Sequence, residues 1–494
     1  MRGDHSVRRV YRALTGLVVA VVSGLTAPAA ASATTAPAPA AVFKTATALT
    51  ASRVSSSYDS SVTVTARVTA ASGTPAGPVT FIDMSNGSVL GTGTLRNGTA
   101  SLTTAALAVG SRRIAARYQG DSTHRPSVSA AVRISVAAAG SHAVTYQIDA
   151  KHDGDQVRGG LQARSLTKKW RKDLVGGYVS YPVIAGGRVF VTAGNGGDGT
   201  IWLYALNAAT GHTEWSTVLA SNTASFATLA YDGQDIFAFT PGGSLTAYRA
   251  STGHELWADQ LTDNAAFGLP PTAYDGVVYV GISGVGGTVY AVSEANGHIR
   301  WAKPVMNGDD SSPAVDNSGA YVSYDGQQDY RFSLGGHLVW HHSSGLEGGG
   351  GSTPVLHGSS VYARGFPPVD SPVILSKTSG KVTGTFGSDS APAFAGTSMY
   401  TINSGTLTKS AASGSPSRWT FANHKLDTAP VVSNGVVYAL STSGNVFGVS
   451  TASGAKVWKG TVGQATNGPI LSGLAIGGGL LLVPAGSTLT AFGD

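Results

Sequence analysis

Carboxylates and small hydroxyls gather at one recurring place in this 494-residue sequence. Asp309 and Asp310, Ser352 and Thr353, Asp389, Asp427 and Asn467 each stand a few residues before a proline that opens a short apolar run. Oxygen donors brought together in this way could bind a cation or a polar ligand, because clustered carboxylates repel and a positive group relieves the repulsion. A second pair, His152 and Asp153 in YQIDAKHDGDQ, has metal-ligand residue types, but a structural plug is the reading we favour. Other reaction chemistry is missing from the sequence. The chain has no cysteine, which excludes disulfides, thiol catalysis, Cys-ligated metals and a cysteine lipid anchor. It has no HExxH, no GxSxG nucleophile elbow and no P-loop. The run NGGDG at 195–199 offers one carboxylate where a Ca²⁺ loop needs several, so it reads as a hairpin connection.

The elements that position these residues repeat. In Gly186–Trp215, two β-branched and aromatic runs flank a Gly-rich connection, and a tight turn at Ala209–Gly211 leads to a third run ending on Trp215. Trp170, Trp215, Trp257, Trp301, Trp340, Trp419 and Trp458 are spaced by 45, 42, 44, 39, 79 and 39 residues. Gly211, Gly253, Gly297, Gly336 and Gly454 each stand four residues before a tryptophan, and the unit without one carries SGKVTGTF near Gly384–Phe386. Pro182, Pro271, Pro313, Pro354, Pro392, Pro430 and Pro469 keep the same beat, with Thr228 expected in the place of the remaining proline. Eight units of about 44 residues fill 145–494, a period that means a propeller or an array. One tryptophan at one place per unit is what packing requires; each buries about 150–250 Å², or very roughly 4–6 kcal/mol gross. Trp202 stands off this register and is a candidate surface contact.

The repeat resembles the pyrroloquinoline-quinone-type (PQQ-like) propeller repeat, as in PVIAGGRVFV…IWLYALNAATGHTEW, PTAYDGVVYVG…GTVYAVSEANGHIRW and PVVSNGVVYAL…GNVFGVSTASGAKVW. The WD repeat of similar period fits poorly, since no tryptophan here is followed by aspartate. The resemblance implies an eight-bladed propeller. Quinone-dependent dehydrogenases of this kind resemble one another in an adjacent Cys pair above the cofactor and a Ca²⁺ site with a catalytic Asp. This chain has no Cys and nothing that maps onto the acidic ligands, so neither PQQ nor a catalytic residue is expected; Ca²⁺ has no supporting motif. The run Thr488–Phe492 matches a third blade strand with none after it. The strand Ser165–Lys172, with Trp170 in the tryptophan place, is expected to close the last blade and remove a sheet edge.

Upstream, residues 1–33 combine four arginines, an apolar run and Ala31-Ser32-Ala33, the pattern of a secretory signal. An Ala/Thr/Pro linker is expected at 34–44. Short alternating runs over 45–137 indicate a β-sandwich, and TPAGPVTF with ARYQGD resembles bacterial Ig-like domains. A linker at 138–144 leads to the propeller at 145–494. The net charge of +6 is low for a nucleic-acid binder, and the one dense basic cluster, Lys168–Lys172, falls on the closing strand. The expectation is an all-β, monomeric, secreted or envelope-associated protein with no membrane span after signal removal. It would be a non-catalytic binding or scaffold module for an extracellular or envelope protein or polymer. The alternative is an exported enzyme, either a divergent quinoprotein or a polymer hydrolase.

Overall fold

Alternation decides the first domain. In Val62–Ala70 the valines at 62, 64 and 68 and Ala66 are buried while the intervening threonines and Arg67 are not, which is the period-2 signature of a strand with one face on a core. The computed structural model describes residues 42–494 except 58–61, 86, 105–106, 108–109, 138–141, 157–160, 162–164, 176, 195–198, 221–226, 262–268, 283–285, 309–310, 346–351, 366–370 and 464–472. The expected signal segment, most of the linker after it, most of NGGDG and the candidates Asp309, Asp310 and Asn467 lie outside the described residues. Strands Thr45–Ala51, Val62–Ala70 and Thr99–Thr104 form one sheet; Ser55–Ser57, Val132–Ala137, Gly110–Tyr118, Pro78–Asp83 and Ser88–Thr94 form the other. Val64, Val79, Phe81, Ile114 and Tyr118 fill the space between them. Two short strands, Ser55–Ser57 and Ser127–Val128, were not evident from the sequence, because neither is long enough to show alternation.

The repeats fold as eight sheets among the described residues, six of four strands and two with a short fifth strand, Tyr178–Val179 in the first and Asp155–Gln156 in the seventh. Blades one to seven span 183–220, 228–260, 272–304, 314–342, 355–385, 393–421 and 431–461. Blade eight joins Ala475–Gly477, Leu480–Ala485 and Thr488–Gly493 to Thr167–Asp173, which pairs antiparallel with the third of these. The expected closure by an N-terminal strand is thus present, shifted by two residues at its start. The innermost strands follow one another round a ring from blade one to blade eight and back. Register puts Leu229, not Thr228, in the place of the proline: Ala230 pairs with Phe237 as Val183 pairs with Phe190. The missing proline had left the turn Asp232–Asp235, tighter by one residue than a proline count suggests, without a marker.

The tryptophan–glycine spacing has a physical cause that crosses blades. Trp170, Trp215, Trp257, Trp301, Trp340 and Trp419 each lie on the turn glycine of the next blade: Gly211, Gly253, Gly297, Gly336, Gly380 and Gly454. Each of these glycines has positive φ, and a Cβ there would stand 2.6–2.8 Å from the ring. The indole N–H donates to a carbonyl of the same turn, for example Trp215 Nε1 to Ala250 O (3.0 Å) and Trp257 Nε1 to Glu294 O (2.7 Å). Trp458 Nε1 donates to Leu166 O (3.0 Å), so the last seam is sealed on the closing strand. Gly297→Ala, with φ +75° and Trp257 Cε3 at 2.7 Å, combines backbone strain with overpacking. It is expected to cost about 2–5 kcal/mol, read as a fall in thermal midpoint; an unchanged midpoint would refute this account of the spacing. Trp202 is half-buried against the core of blades one and eight.

A plug fills the centre of the ring. Ala143 exchanges backbone hydrogen bonds with Ile184 in blade one, and Tyr231 N donates to Val144 O (2.7 Å) in blade two. Thr145 Oγ1 donates to Pro271 O (2.9 Å) at the start of blade three. Val315, Leu356, Phe394 and Val432 of blades four to seven donate backbone N–H to Ala150, Lys151, Asp153 and Gly154 carbonyls (2.7–2.9 Å). Gln156 Nε2 reaches Ile476 O (2.8 Å) in blade eight. Fourteen residues, 143–156, therefore bond to every blade. His152 is fully buried with its Nε2 3.1 Å from Thr272 Oγ1, and burial pushes its pKa down to about 3, so it is a neutral packing residue. Asp153, also buried, accepts from Lys151 Nζ at 2.6 Å.

The Ig-like domain docks on the hairpin end of the ring. Arg112, fully buried, donates through Nε to Asp83 Oδ2 (2.9 Å) in its own domain and through NH1 to Asp232 Oδ1 (2.9 Å) in blade two. Arg133 NH1 meets Asp275 Oδ2 at 3.0 Å, and a Cβ on Gly276 would lie 2.0 Å from Ser85 O.

Candidate functional site

The described residues that enter the innermost strands lie at the end opposite the Ig-like domain, around the channel mouth. Their hydroxyls are mostly spent on the fold. Ser180, Ser311, Ser352 and Thr428 hold one repeat position, and each accepts a hydrogen bond from a backbone N–H of the second strand: Thr192 (3.0 Å), Ser323 (2.9 Å), Arg364 (3.3 Å) and Leu440 (3.0 Å). Ser352 Oγ also donates to Arg364 O (2.6 Å), so this candidate ligand fastens its loop to its strand. Thr353 follows, half-buried at the strand entrance.

One position back stand the carboxylates. Asp389 and Asp427, on blades six and seven, occupy equivalent places: Asp389 N donates to Ile402 O (2.7 Å) and Asp427 N to Leu440 O (2.9 Å). Asp389 is exposed, and its Oδ2 accepts from Ser404 N at 2.5 Å, which caps the neighbouring turn. Asp427 is half-buried. Asp389 and Asp427 therefore hold the same place on adjacent blades.

Sequence reasoning missed the cation among them. Arg364 follows strand Ser360–Ala363 at a position held in the other blades by Thr192, Phe239, Gly281, Ser323, Ile402, Leu440 and Pro484. A single charge in an otherwise uncharged repeat column was the available signal. Arg364 NH1 donates to Asp389 O (2.8 Å), while its Nε is buried without a hydrogen-bond partner. Burial lowers its pKa. Tyr146 of the plug lies nearby, buried edge-on against Tyr181 with ring centroids 5.6 Å apart, and burial raises its pKa. Among the described residues the mouth thus carries a half-buried cation beside the polar and acidic groups the loops suggested. Among the described residues no group of three or more His, Asp or Glu side chains is placed to hold a metal ion.

The sequence matches the family described as outer membrane protein assembly factor BamB over 160–267 and 263–478. The chain belongs to the BamB family. Ahead of this BamB-type region, residues 49–137 match the bacterial Ig-like domain, group 3. No curated protein matches the chain. Among solved structures, BamB from Moraxella catarrhalis is similar at 15% identity and a TM-score of 0.52, with 67% of this chain and 100% of that one covered. Quinohemoprotein alcohol dehydrogenase from Comamonas testosteroni is similar at 13% identity and a TM-score of 0.58, covering 71% and 80%. A europium-containing methanol dehydrogenase gives 12% identity and a TM-score of 0.56, covering 72% and 98%. At these identities the likeness shows the PQQ-type propeller fold alone.

PQQ, which the fold implies, is a flat tricarboxylate that would occupy the channel axis. The residues on this BamB-type axis do not fit it. Tyr146 of the plug and Tyr181 pack edge-on, and a Cβ on Gly473 would stand 3.1 Å from the Tyr146 ring and from Tyr181 Cβ, so no gap is left there for a flat ring system. Gln147 Nε2 bonds Ala391 O and Pro430 O, so the plug's amide donor there is spent on the blades.

Proposed function

We propose that the chain is an exported, envelope-associated, non-catalytic scaffold that holds a partner protein at the channel mouth. The observation that carries this reading is the plug: 143–156 bonds to all eight blades, so the axis is filled by the protein's own backbone. A ring stiffened in this way leaves recognition to the mouth loops, where the blades differ and loops are free of packing. Asp389, Asp427 and Arg364 present both signs of charge within one small area, which suits a polypeptide surface with matching charges. No helix among the described residues is long and apolar enough to cross a membrane. The unit 1–33 supplies export, and the Ig-like domain acts as a spacer.

The protein immobilised through its Ig-like end should retain a specific partner from an envelope extract. Combined Asp389→Asn, Asp427→Asn and Arg364→Gln should weaken capture at least tenfold, since each lost charge pair is worth about 0.5–1 kcal/mol at an exposed interface. Because Asp389 and Arg364 also hold Ser404 N and Asp389 O, the thermal midpoint should fall somewhat, and capture is compared where every variant is folded. Undiminished capture by the triple variant would remove the mouth from the proposal. Turnover of an alcohol panel with added PQQ, Ca²⁺ and a dye acceptor would overturn the non-catalytic reading.

A further inference from the structure

Folding brings together charges that lie at opposite ends of the propeller sequence. On the closing strand, Thr167–Asp173, Lys168, Lys169 and Arg171 are exposed, Lys172 is half-buried and Trp170 is buried. On the outer strand of blade seven, Lys456–Thr461, Lys456 and Lys459 are exposed. The two strands are neighbours: Trp458 Nε1 donates to Leu166 O (3.0 Å), and its ring meets Phe492 of blade eight with centroids 5.1 Å apart. Register makes the charges equivalent. Lys456 stands two residues before Trp458 and Lys459 one after it, as Lys168 and Arg171 stand about Trp170, with a bulge at the same place in both strands. No other blade has Lys or Arg at either position. The charge continues into blade six, where Arg418 is exposed beside Trp419 on Ser417–Phe421. His424, stacked on Phe421 at 4.1 Å, has its pKa lowered by burial and then by Lys456 and Lys459. These three strands carry seven Lys and Arg side chains, of which only Arg171 meets a carboxylate among the described residues, Asp173 at 3.3 Å. The outer strands of blades one and two, Thr213–Ala220 and Glu255–Gln260, carry three carboxylates and no Lys or Arg, so the rim changes sign around the ring.

We propose that the outer rim of blades six to eight binds a linear polyanion of the envelope, a glycan or polyol chain with recurring phosphates. Like charges held on adjacent strands repel, and a phosphate chain laid across them relieves that repulsion and releases its own counterions. What the rim lacks decides among polyanions. The exposed large apolar side chains of the outer strands are Val218, Leu256, Ile299, Leu338, Val339 and Val382, all on blades one to five. Among the described residues, the outer strands of blades six to eight therefore offer no apolar wedge to a lipid surface. Their tryptophans are committed to the seams, Trp170 on Gly211, Trp419 on Gly454 and Trp458 on Leu166 O, which leaves no indole platform for stacked bases. The choice of an envelope polymer rests on the exported reading above. The binding itself is measured in solution and rests neither on that reading nor on the channel mouth.

The test is fluorescence anisotropy of end-labelled poly(glycerol phosphate) titrated with the intact protein at low salt. Saturable binding that weakens as salt is raised is expected. Lys168→Gln with Lys169→Gln on blade eight, or Lys456→Gln with Lys459→Gln on blade seven, should each weaken it about tenfold and flatten the salt dependence. All four side chains are exposed, so the thermal midpoint should hold. Lys303→Gln with Lys381→Gln removes the same charge from blades three and five and should change little. Combined Asp389→Asn, Asp427→Asn and Arg364→Gln should bind the polymer at least as tightly as the native chain, and a loss there would place the polymer at the mouth instead. The proposal is overturned by no binding to the native chain, by undiminished binding to both rim variants, or by an equal loss in the Lys303 and Lys381 pair. Tighter binding to single-stranded DNA or to phosphatidylglycerol vesicles than to the polymer also overturns it.

Discussion

A chain that starts at Leu174 is expected to aggregate and to lose cooperative unfolding, whereas one that starts at His142 stays monomeric. The first lacks the plug and the closing strand; the second lacks only the Ig-like domain and the linker before the plug. Without Thr167–Asp173, blade eight exposes the edge of Thr488–Gly493 across six paired positions, a template for intermolecular pairing. Trp170, buried on Gly211 and bonded to Ala208 O (2.8 Å), goes with it, and Trp458 loses its acceptor Leu166. One buried indole is worth roughly 4–6 kcal/mol gross. Six backbone hydrogen bonds add about 1 kcal/mol each. That sum is comparable to the whole 5–15 kcal/mol stability typical of a domain. Size-exclusion chromatography with denaturant unfolding decides it: a monomeric, cooperatively unfolding 174–494 fragment would show that neither segment closes the ring.

Arg112→Met is expected to separate the two domains. The guanidinium is fully buried between Asp83 and Asp232, and the buried Glu294 carboxyl of the next blade adds its charge to the cluster. Removing one partner from a buried ion-pair cluster typically costs 3–5 kcal/mol, because the remaining charges are left without compensation. Two thermal transitions in place of one, with faster proteolysis near 138–141, should report the loss. The same cluster gives a pH dependence. Burial, followed by mutual repulsion, raises the pKa of Glu294; burial raises Asp232 and carries Asp235 from 3.8 to about 7. Carboxyls raised in the folded state bind protons there that the unfolded chain releases. Their contribution is therefore complete below the ordinary carboxylate range and is lost as pH rises through about 7. Docking should weaken on going from pH 5 to pH 8, and Glu294→Gln should flatten that slope. A docking equilibrium independent of pH in both proteins would refute the assignment.

The fold was legible because packing writes itself into a repeat. The seven tryptophans and their glycines announced the blades, although the sequence alone could not show that each glycine serves the tryptophan of the preceding unit. Trp170, displaced to the far end of the chain, identified the closing strand. The site was less legible. Ser352 has the residue type of a ligand, but its hydroxyl ties a loop to a strand, a use that only register reveals. Arg364 drew no notice because it follows an ordinary Ser-Val-Tyr-Ala run, and its significance lies in what the seven equivalent positions lack. The contact of Arg112 with Asp232 joins residues 120 positions apart in different domains, and no local pattern encodes it.

The closing strand also imposes an order in time. Thr167 is made early, and its partner Gly493 is 326 residues downstream. During synthesis the strand waits with an unsatisfied edge, while the blades between it and its partner assemble by local pairing. Contacts of such separation are slow to form and leave the waiting segment open to wrong partners. The ring cannot lock until blade eight has been made, so rigidity arrives in one late step rather than blade by blade.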